Sequence, residues 1–178
     1  MFFNLVNKLS VKLIDFDSSF IKNKPYDMKM IEKPKAMSEG YCAPELIKYF
    51  SSPLKSQELN DPSKLDIYSL GILMLEYMNF FNKYIPLTEL DKFKTCKKDH
   101  QEKFLSLVDQ FSETASTDAE KNLIYLIKTC LNYEPELRLS AYELLFLSQN
   151  IHSNNNLMKQ MCINLFFTRS QNKIKTKK

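Results

Sequence analysis

Apolar and polar positions change rhythm several times along the chain. Val11-Lys12-Leu13-Ile14 is a short apolar run after a turn-like Asn7-Lys8, and it predicts a strand. Residues 16–39 have no clean period and contain Pro25, Pro34, lysines and scattered serines, the pattern of a long surface segment. From Ala43 onward the spacing becomes helical. Ala43–Phe50 predicts a short helix, with Pro44 in the first turn where its missing N–H costs nothing. Ser51–Ser63, with Pro53 and Pro62, predicts a loop. Leu65–Phe81 is the strongest helical stretch, apolar at 12 of 17 positions, with Asp66, Ser69, Gly71, Glu76 and Asn79 as the exceptions. A helix apolar nearly all round is buried or in a membrane. Asp66 and Glu76 bracket a run too short to cross a bilayer, so this stretch is expected to be the central core helix.

Later helices announce their starts. Thr117-Asp118-Ala119-Glu120 and Ser140-Ala141-Tyr142-Glu143 both match the capping box. The first leads into an apolar face of Leu123, Ile124, Leu126, Ile127, Cys130 and Leu131. Phe104–Phe111 predicts an earlier helix, Asn150–Asn156 a polar linker, and Met158–Phe167 a last helix. No internal repeat is present.

Leu, Ile, Val and Phe account for 52 of the 178 residues, well above the roughly 20% below which disorder is expected, so the chain can bury a core. Its length suits one domain or a large piece of one. The only glycines, Gly40 and Gly71, exclude a Gly-rich phosphate cradle within these residues. His100 and His152 lie far apart, which argues against a His-based metal site or triad. Cys42, Cys96, Cys130 and Cys162 show no CxxC spacing and read as free thiols of an intracellular, cytoplasmic protein. The net charge of +4 belongs to the tail: Leu165–Lys178 holds Arg169, Lys173, Lys175, Lys177 and Lys178 and no acid. Such a tail suits an anionic contact, although a solvated terminus is the plainer reading, and no nucleic-acid partner is expected.

Four motifs succeed one another in order. They are Val11-Lys12-Leu13-Ile14-Asp15-Phe16-Asp17, then Ser38-Glu39-Gly40-Tyr41-Cys42-Ala43-Pro44-Glu45, then Asp66-Ile67-Tyr68-Ser69-Leu70-Gly71 continuing to Glu76, and Cys130-Leu131-Asn132-Tyr133-Glu134-Pro135-Glu136-Leu137-Arg138. Together, over roughly residues 9–149, they resemble the C-terminal lobe of a eukaryotic-type protein kinase. The resemblance implies a mainly α lobe with a small N-terminal β element, from an α+β family whose N-terminal lobe is missing here. Residues 1–150 would form the partial kinase domain, and 151–178 a polar linker, a short helix and a basic tail.

The resemblance also assigns roles. Asp15 would be the carboxylate that binds the Mg²⁺ bridging ATP phosphates, and so both the metal and the nucleotide residue. Phe16 would pack into the lobe and set an active or inactive arrangement. Asp17 stands where the family has Gly, which makes the loop stiffer and places a second carboxylate beside Asp15. Phe16, Asp17, Ser38, Tyr41, Ala43, Pro44 and Glu45 would belong to the activation segment, with Ser38 at the position of a hydroxyl that contacts substrate. Ser18, Ser19, Tyr26 and Ser38 are candidate phosphosites. Glu45 and Arg138 would form a buried ion pair, and Asp66 would anchor the catalytic loop from the start of the central helix. Arg138 is one of only two arginines against 23 lysines, and a guanidinium meets a carboxylate two-pronged as Lys cannot.

The 14 residues before Asp15 contain no Asp and no HRD-type loop. The catalytic Asp, the second-metal Asn, the Gly-rich loop and the ATP-holding Lys of the family have no counterpart in the chain, so no catalytic residue is assigned. Two readings stay open. In the first, the complete form is a protein kinase, Ser/Thr-specific, using ATP and Mg²⁺ on a protein substrate, and this chain alone is inactive. In the second, the chain is a non-catalytic, pseudokinase-like module that binds protein partners. An unrelated helical domain with the motifs by chance predicts no contact between Glu45 and Arg138.

Overall fold

The computed structural model describes residues 39–51, 61–82, 89 and 98–151. The chain divides into two compact units, Met1–Met37 and Ser38–Lys178, and every described residue belongs to the second. The expected strand at Val11–Ile14, the segment 16–38 and the expected helix Met158–Phe167 lie outside the described residues. Among the described residues the structure is helical, with no strand. A 3₁₀ turn, Glu39–Tyr41, leads into α1 (Pro44–Ser51). Then come α2 (Ser63–Asn82), α3 (Lys98–Thr114), α4 (Asp118–Cys130), a second 3₁₀ turn at Pro135–Leu137, and α5 (Ala141–Gln149).

Each start has a chemical cause. At α1 the Ala43 carbonyl accepts the first helical bonds, from Leu46 N–H at 3.0 Å and Ile47 N–H at 3.2 Å, while Pro44 occupies the first turn. At α2 the helix begins two residues earlier than the apolar run. Asp61 supplies the stop to the preceding loop, because its carboxylate accepts from both the Ser63 N–H at 3.2 Å and the Ser63 hydroxyl at 2.6 Å. α3 starts six residues before Phe104, in a polar stretch (Lys98 to Lys103) whose helicity owes nothing to apolar periodicity. Its Lys98–Glu102 pair, 3.9 Å apart at i,i+4, adds local support. α4 and α5 both carry complete capping boxes, Thr117 with Glu120 and Ser140 with Glu143.

α2 is the element around which the core is laid. On one side Tyr68, Ile72, Leu75 and Met78 pack with Ala43, Val108 of α3 and Ile124, Ile127 and Leu131 of α4 and its end. Ile67 joins a second cluster with Leu126, Cys130, Leu139, Leu144 and Leu147, which seats α5. α2 and α4 approach closely at Gly71. A Cβ placed there would stand 2.8 Å from Cys130 Cβ and 2.8 Å from Leu131 Cδ2, inside contact distance. The expectation of a helix buried all round is corrected here. Leu70, Leu73 and Tyr77 are exposed, because the described elements cover only the opposite side of α2.

Candidate functional site

The sequence motifs within the described residues meet at the buried start of α2. Arg138 comes just after the second 3₁₀ turn, and its side chain is 0% exposed. All five guanidinium N–H groups are used. Nη1 donates to Glu45 Oε1 at 2.6 Å and to the Lys64 carbonyl at 3.1 Å. Nη2 donates to Glu45 Oε2 at 2.8 Å and to the Tyr133 carbonyl at 3.2 Å, and Nε donates to the Asn132 carbonyl at 2.7 Å. The guanidinium also lies over the Tyr68 ring, 4.8 Å from its centroid. The five-donor fork is thus saturated, an arrangement no lysine could reproduce.

The pair is asymmetric. Glu45, in the first turn of α1, keeps 19% of its side chain exposed, whereas Arg138 is sealed. The sequence suggests a buried pair; the structure sets one partner inside and the other at the rim, because α1 is a short helix at the edge of the core. Lys64 completes the knot. Its ammonium donates to the Arg138 carbonyl at 2.7 Å although the residue is buried. Tyr133, in the same loop, also carries Lys48 of α1 against its ring, 4.4 Å from the centroid.

The sequence gives no partner for Tyr41 or Glu76, and the structure joins them: the Tyr41 hydroxyl donates to Glu76 Oε2. Ser69 donates its hydroxyl to the Tyr41 carbonyl at 2.9 Å, sharing it with the Leu65 carbonyl at 3.1 Å. The turn before α1 is therefore held to α2 from two points. Gln101 of α3 stands in no sequence motif. It is buried, and its amide donates to the Tyr68 hydroxyl at 2.6 Å while its Oε1 has no hydrogen-bond partner. For Ser69 and Glu76 the sequence signal is a polar residue within an otherwise apolar helix, which marks them as paired without naming the partner; Gln101, in a polar stretch, carries no such signal.

Asp66 stands in the first turn of α2 and is open to solvent at its tip. Partial burial pushes its carboxyl above the ordinary carboxylate value. Cys130, beside Gly71, is pushed up to about 12, by burial first, against the lowering influence of Arg138 and Lys64.

Asp15, Phe16, Asp17 and Ser38, to which the resemblance assigns the metal, nucleotide and substrate-facing roles, lie outside the described residues. Among the described residues no group of three or more His, Cys, Asp or Glu side chains could hold a metal ion. No step of phosphoryl transfer is assigned to the described residues. Among the same residues no helix is long and apolar enough to cross a membrane. What the assembled residues can do is structural. They lock the segment Glu39–Glu45 onto α2 and onto the loop before α5.

Compared with protein families, residues 3–148 match the protein kinase domain. No curated protein and no solved structure matches the chain.

Proposed function

Because the chain belongs to the protein kinase domain family, matched over residues 3–148, we propose that it is the C-terminal, substrate-docking lobe of such a domain. In the complete form that domain transfers the ATP γ-phosphoryl to protein Ser or Thr hydroxyls with Mg²⁺. Residues 1–178 by themselves contain no catalytic-loop sequence and are inactive. The observation that carries this reading is the two-pronged Glu45–Arg138 pair. It ties the Ala43-Pro44-Glu45 motif to the Arg-bearing motif 93 positions later, the pairing that the kinase resemblance requires and that chance motifs do not. In this reading Asp15 is the metal carboxylate, Ser38 and Tyr41 belong to the activation segment, and Asp66 offers its carboxylate to the catalytic loop.

The test is nucleotide binding and phosphoryl transfer by residues 1–178, with and without Mg²⁺, beside Asp15→Asn. Neither Mg²⁺-dependent binding nor transfer is expected from this chain. Tight Mg²⁺-dependent binding that Asp15→Asn abolishes would mean the nucleotide site is complete within these residues and would sink the proposal of an inactive lobe.

A second reading, a kinase-like module that binds protein partners without catalysis, is favoured by Asp17 in place of the family's Gly. The native protein distinguishes the two. A cellular species well above 21.0 kDa with ATP-dependent kinase activity supports the enzyme, and an inactive species of 21.0 kDa supports the binding module.

A further inference from the structure

Gln101 is a costly residue where it stands. It lies near the start of α3 and is only 1% exposed, yet half of its amide goes unused. Nε2 donates to the Tyr68 hydroxyl at 2.6 Å, and Oε1 has no hydrogen-bond partner. A buried acceptor left unpaired costs at least as much as one neutral hydrogen bond returns. A methionine has nearly the same length, adapts to the same space and carries no such penalty. Stability alone therefore does not account for the glutamine, and a residue that breaks a packing rule in this way is expected where function needs it.

Its side-chain bond leads to the Arg138 anchor. The Tyr68 hydroxyl lies on the long axis of its ring, so a bond there fixes where the ring points. Arg138 lies over the face of that ring, 4.8 Å from the centroid, and holds Glu45 of α1 with two hydrogen bonds. Each step of the series Gln101, Tyr68, Arg138, Glu45 is thus a direct side-chain contact.

α3 reaches the same anchor a second time. Lys98 precedes Gln101 at i,i+3 spacing, on the same face of the helix. Its ammonium lies 6.0 Å from the ring centroid of Tyr133, the residue whose carbonyl accepts from Arg138 Nη2. The ammonium of Lys48, from α1, lies 4.4 Å from that ring. One face of the first turn of α3 therefore touches both the ring on which Arg138 rests and a loop residue that Arg138 holds.

We propose that Gln101 is a positioning residue: through Tyr68 and Arg138 it makes the first turn of α3 part of the device that holds Glu45 and α1 in place. A shift of that turn is thereby felt at α1. The meaning of α1 as the end of an activation segment rests on the kinase-lobe reading above, whereas the coupling rests on the contacts.

Contacts in series amount to coupling only when a change at one end moves the other. Amide exchange of the full chain measures this at Leu46–Ser51 of α1, with Ile124–Cys130 of α4 as the internal reference for global opening. Gln101→Met is expected to quicken exchange in α1 about fivefold and to leave α4 unchanged. Tyr68→Phe, which removes one oxygen, is expected to do the same, and the double variant no more than either, because both break the same bond. In a Glu45→Gln background, Gln101→Met is expected to have no further effect on α1. Equal quickening of α1 and α4 would mean that Gln101 serves general stability. Unchanged exchange in α1 would mean that its influence ends at Tyr68, and an undiminished effect in the Glu45→Gln background would mean that it bypasses the anchor. Any of these overturns the proposal, and Tyr68→Phe decides alone if Gln101→Met fails to fold. Phosphoryl transfer does not enter the readout, so a failure of the kinase-lobe reading shows in the nucleotide experiment and leaves this result standing.

Discussion

Arg138 and Glu45 share two hydrogen bonds, yet only Arg138 is sealed from water. Removal of either partner has a different consequence. Without Glu45 a buried cation loses its counter-charge and keeps three carbonyls and the Tyr68 ring. Without Arg138 those three carbonyls lose a donor, while the Glu45 carboxylate can still reach water. We predict that Glu45→Ala costs on the order of 3–5 kcal/mol by stranding a buried cation, and that Arg138→Leu costs about 1–3 kcal/mol for each of the three carbonyls it leaves without that donor. The double variant is expected to cost much less than the sum, because each single loss contains the same broken pair. Chemical denaturation of the four proteins measures this, and strict additivity would show that the pair contributes nothing as a pair.

Gly71 sets the distance between α2 and α4. A methyl group at that position would overlap Cys130 Cβ, which is fixed by its backbone, as well as the more yielding end of Leu131. Gly71→Ala gains helix propensity worth about 1 kcal/mol. The overlap costs about 1–3 kcal/mol and is expected to win. Thermal unfolding should therefore show a lower midpoint, and a higher one would mean that α4 can move aside freely.

The thiol of Cys130 is expected to be inert. A group pushed up to about 12 by burial stays protonated at neutral pH, and the thiolate is the reactive form. Alkylation by iodoacetamide at pH 8, with peptide mass analysis as the readout, should label Cys130 only as fast as the lobe unfolds. Labelling that does not slow when the protein is stabilised would contradict this.

Asp66 is expected to weaken the fold at neutral pH. Its carboxyl is raised in the folded state, so ionisation weighs against folding. That penalty is absent below the unfolded Asp value of about 3.9 and complete above the folded one. The helix dipole, which favours an anion in this first turn, acts in the opposite direction. Asp66→Asn should raise the denaturation midpoint at pH 7, with the gain shrinking as the pH is lowered toward 3. A loss at pH 7 would show that the dipole wins. A residue that costs stability where it stands fits a functional position, since such sites often trade stability for activity.

The two capping boxes allow a comparison at nearly constant chemistry. Thr117→Ala and Ser140→Ala each remove an acceptor for the N–H three residues on, at 3.2 and 3.3 Å. Each should cost about 1 kcal/mol by urea denaturation. No change at either position would mean that the Glu120 or Glu143 half of the box suffices.

Three helix starts are legible because a side chain causes them. Thr117, Ser140 and Pro44 announce α4, α5 and α1 through local hydrogen bonding and a fixed φ, which sequence carries directly. The start of α3 is not legible, because Lys98 to Lys103 is polar throughout and its helix continues from an apolar part further on. The depth of α2 is overestimated from sequence for a related reason. Composition tells that Leu70 and Leu73 are apolar, and only the placement of neighbours tells that they are uncovered. At the candidate site, Glu45 and Arg138 are legible as residue types suited to each other at the ends of two motifs. Lys64 and Gln101 are not. A lysine at the start of a helix and a glutamine within one read as surface residues until tertiary packing closes over them.

The double hold on Tyr41 gives the lobe a mechanical ground. With its hydroxyl on Glu76 and its carbonyl under Ser69, that residue cannot rotate or slide without breaking a bond to α2. A displacement arriving along the backbone from the N-terminal direction meets these two bonds before it reaches α1. Tyr41→Phe combined with Ser69→Ala would remove both, and amide exchange in α1 should then quicken while α4 keeps its protection.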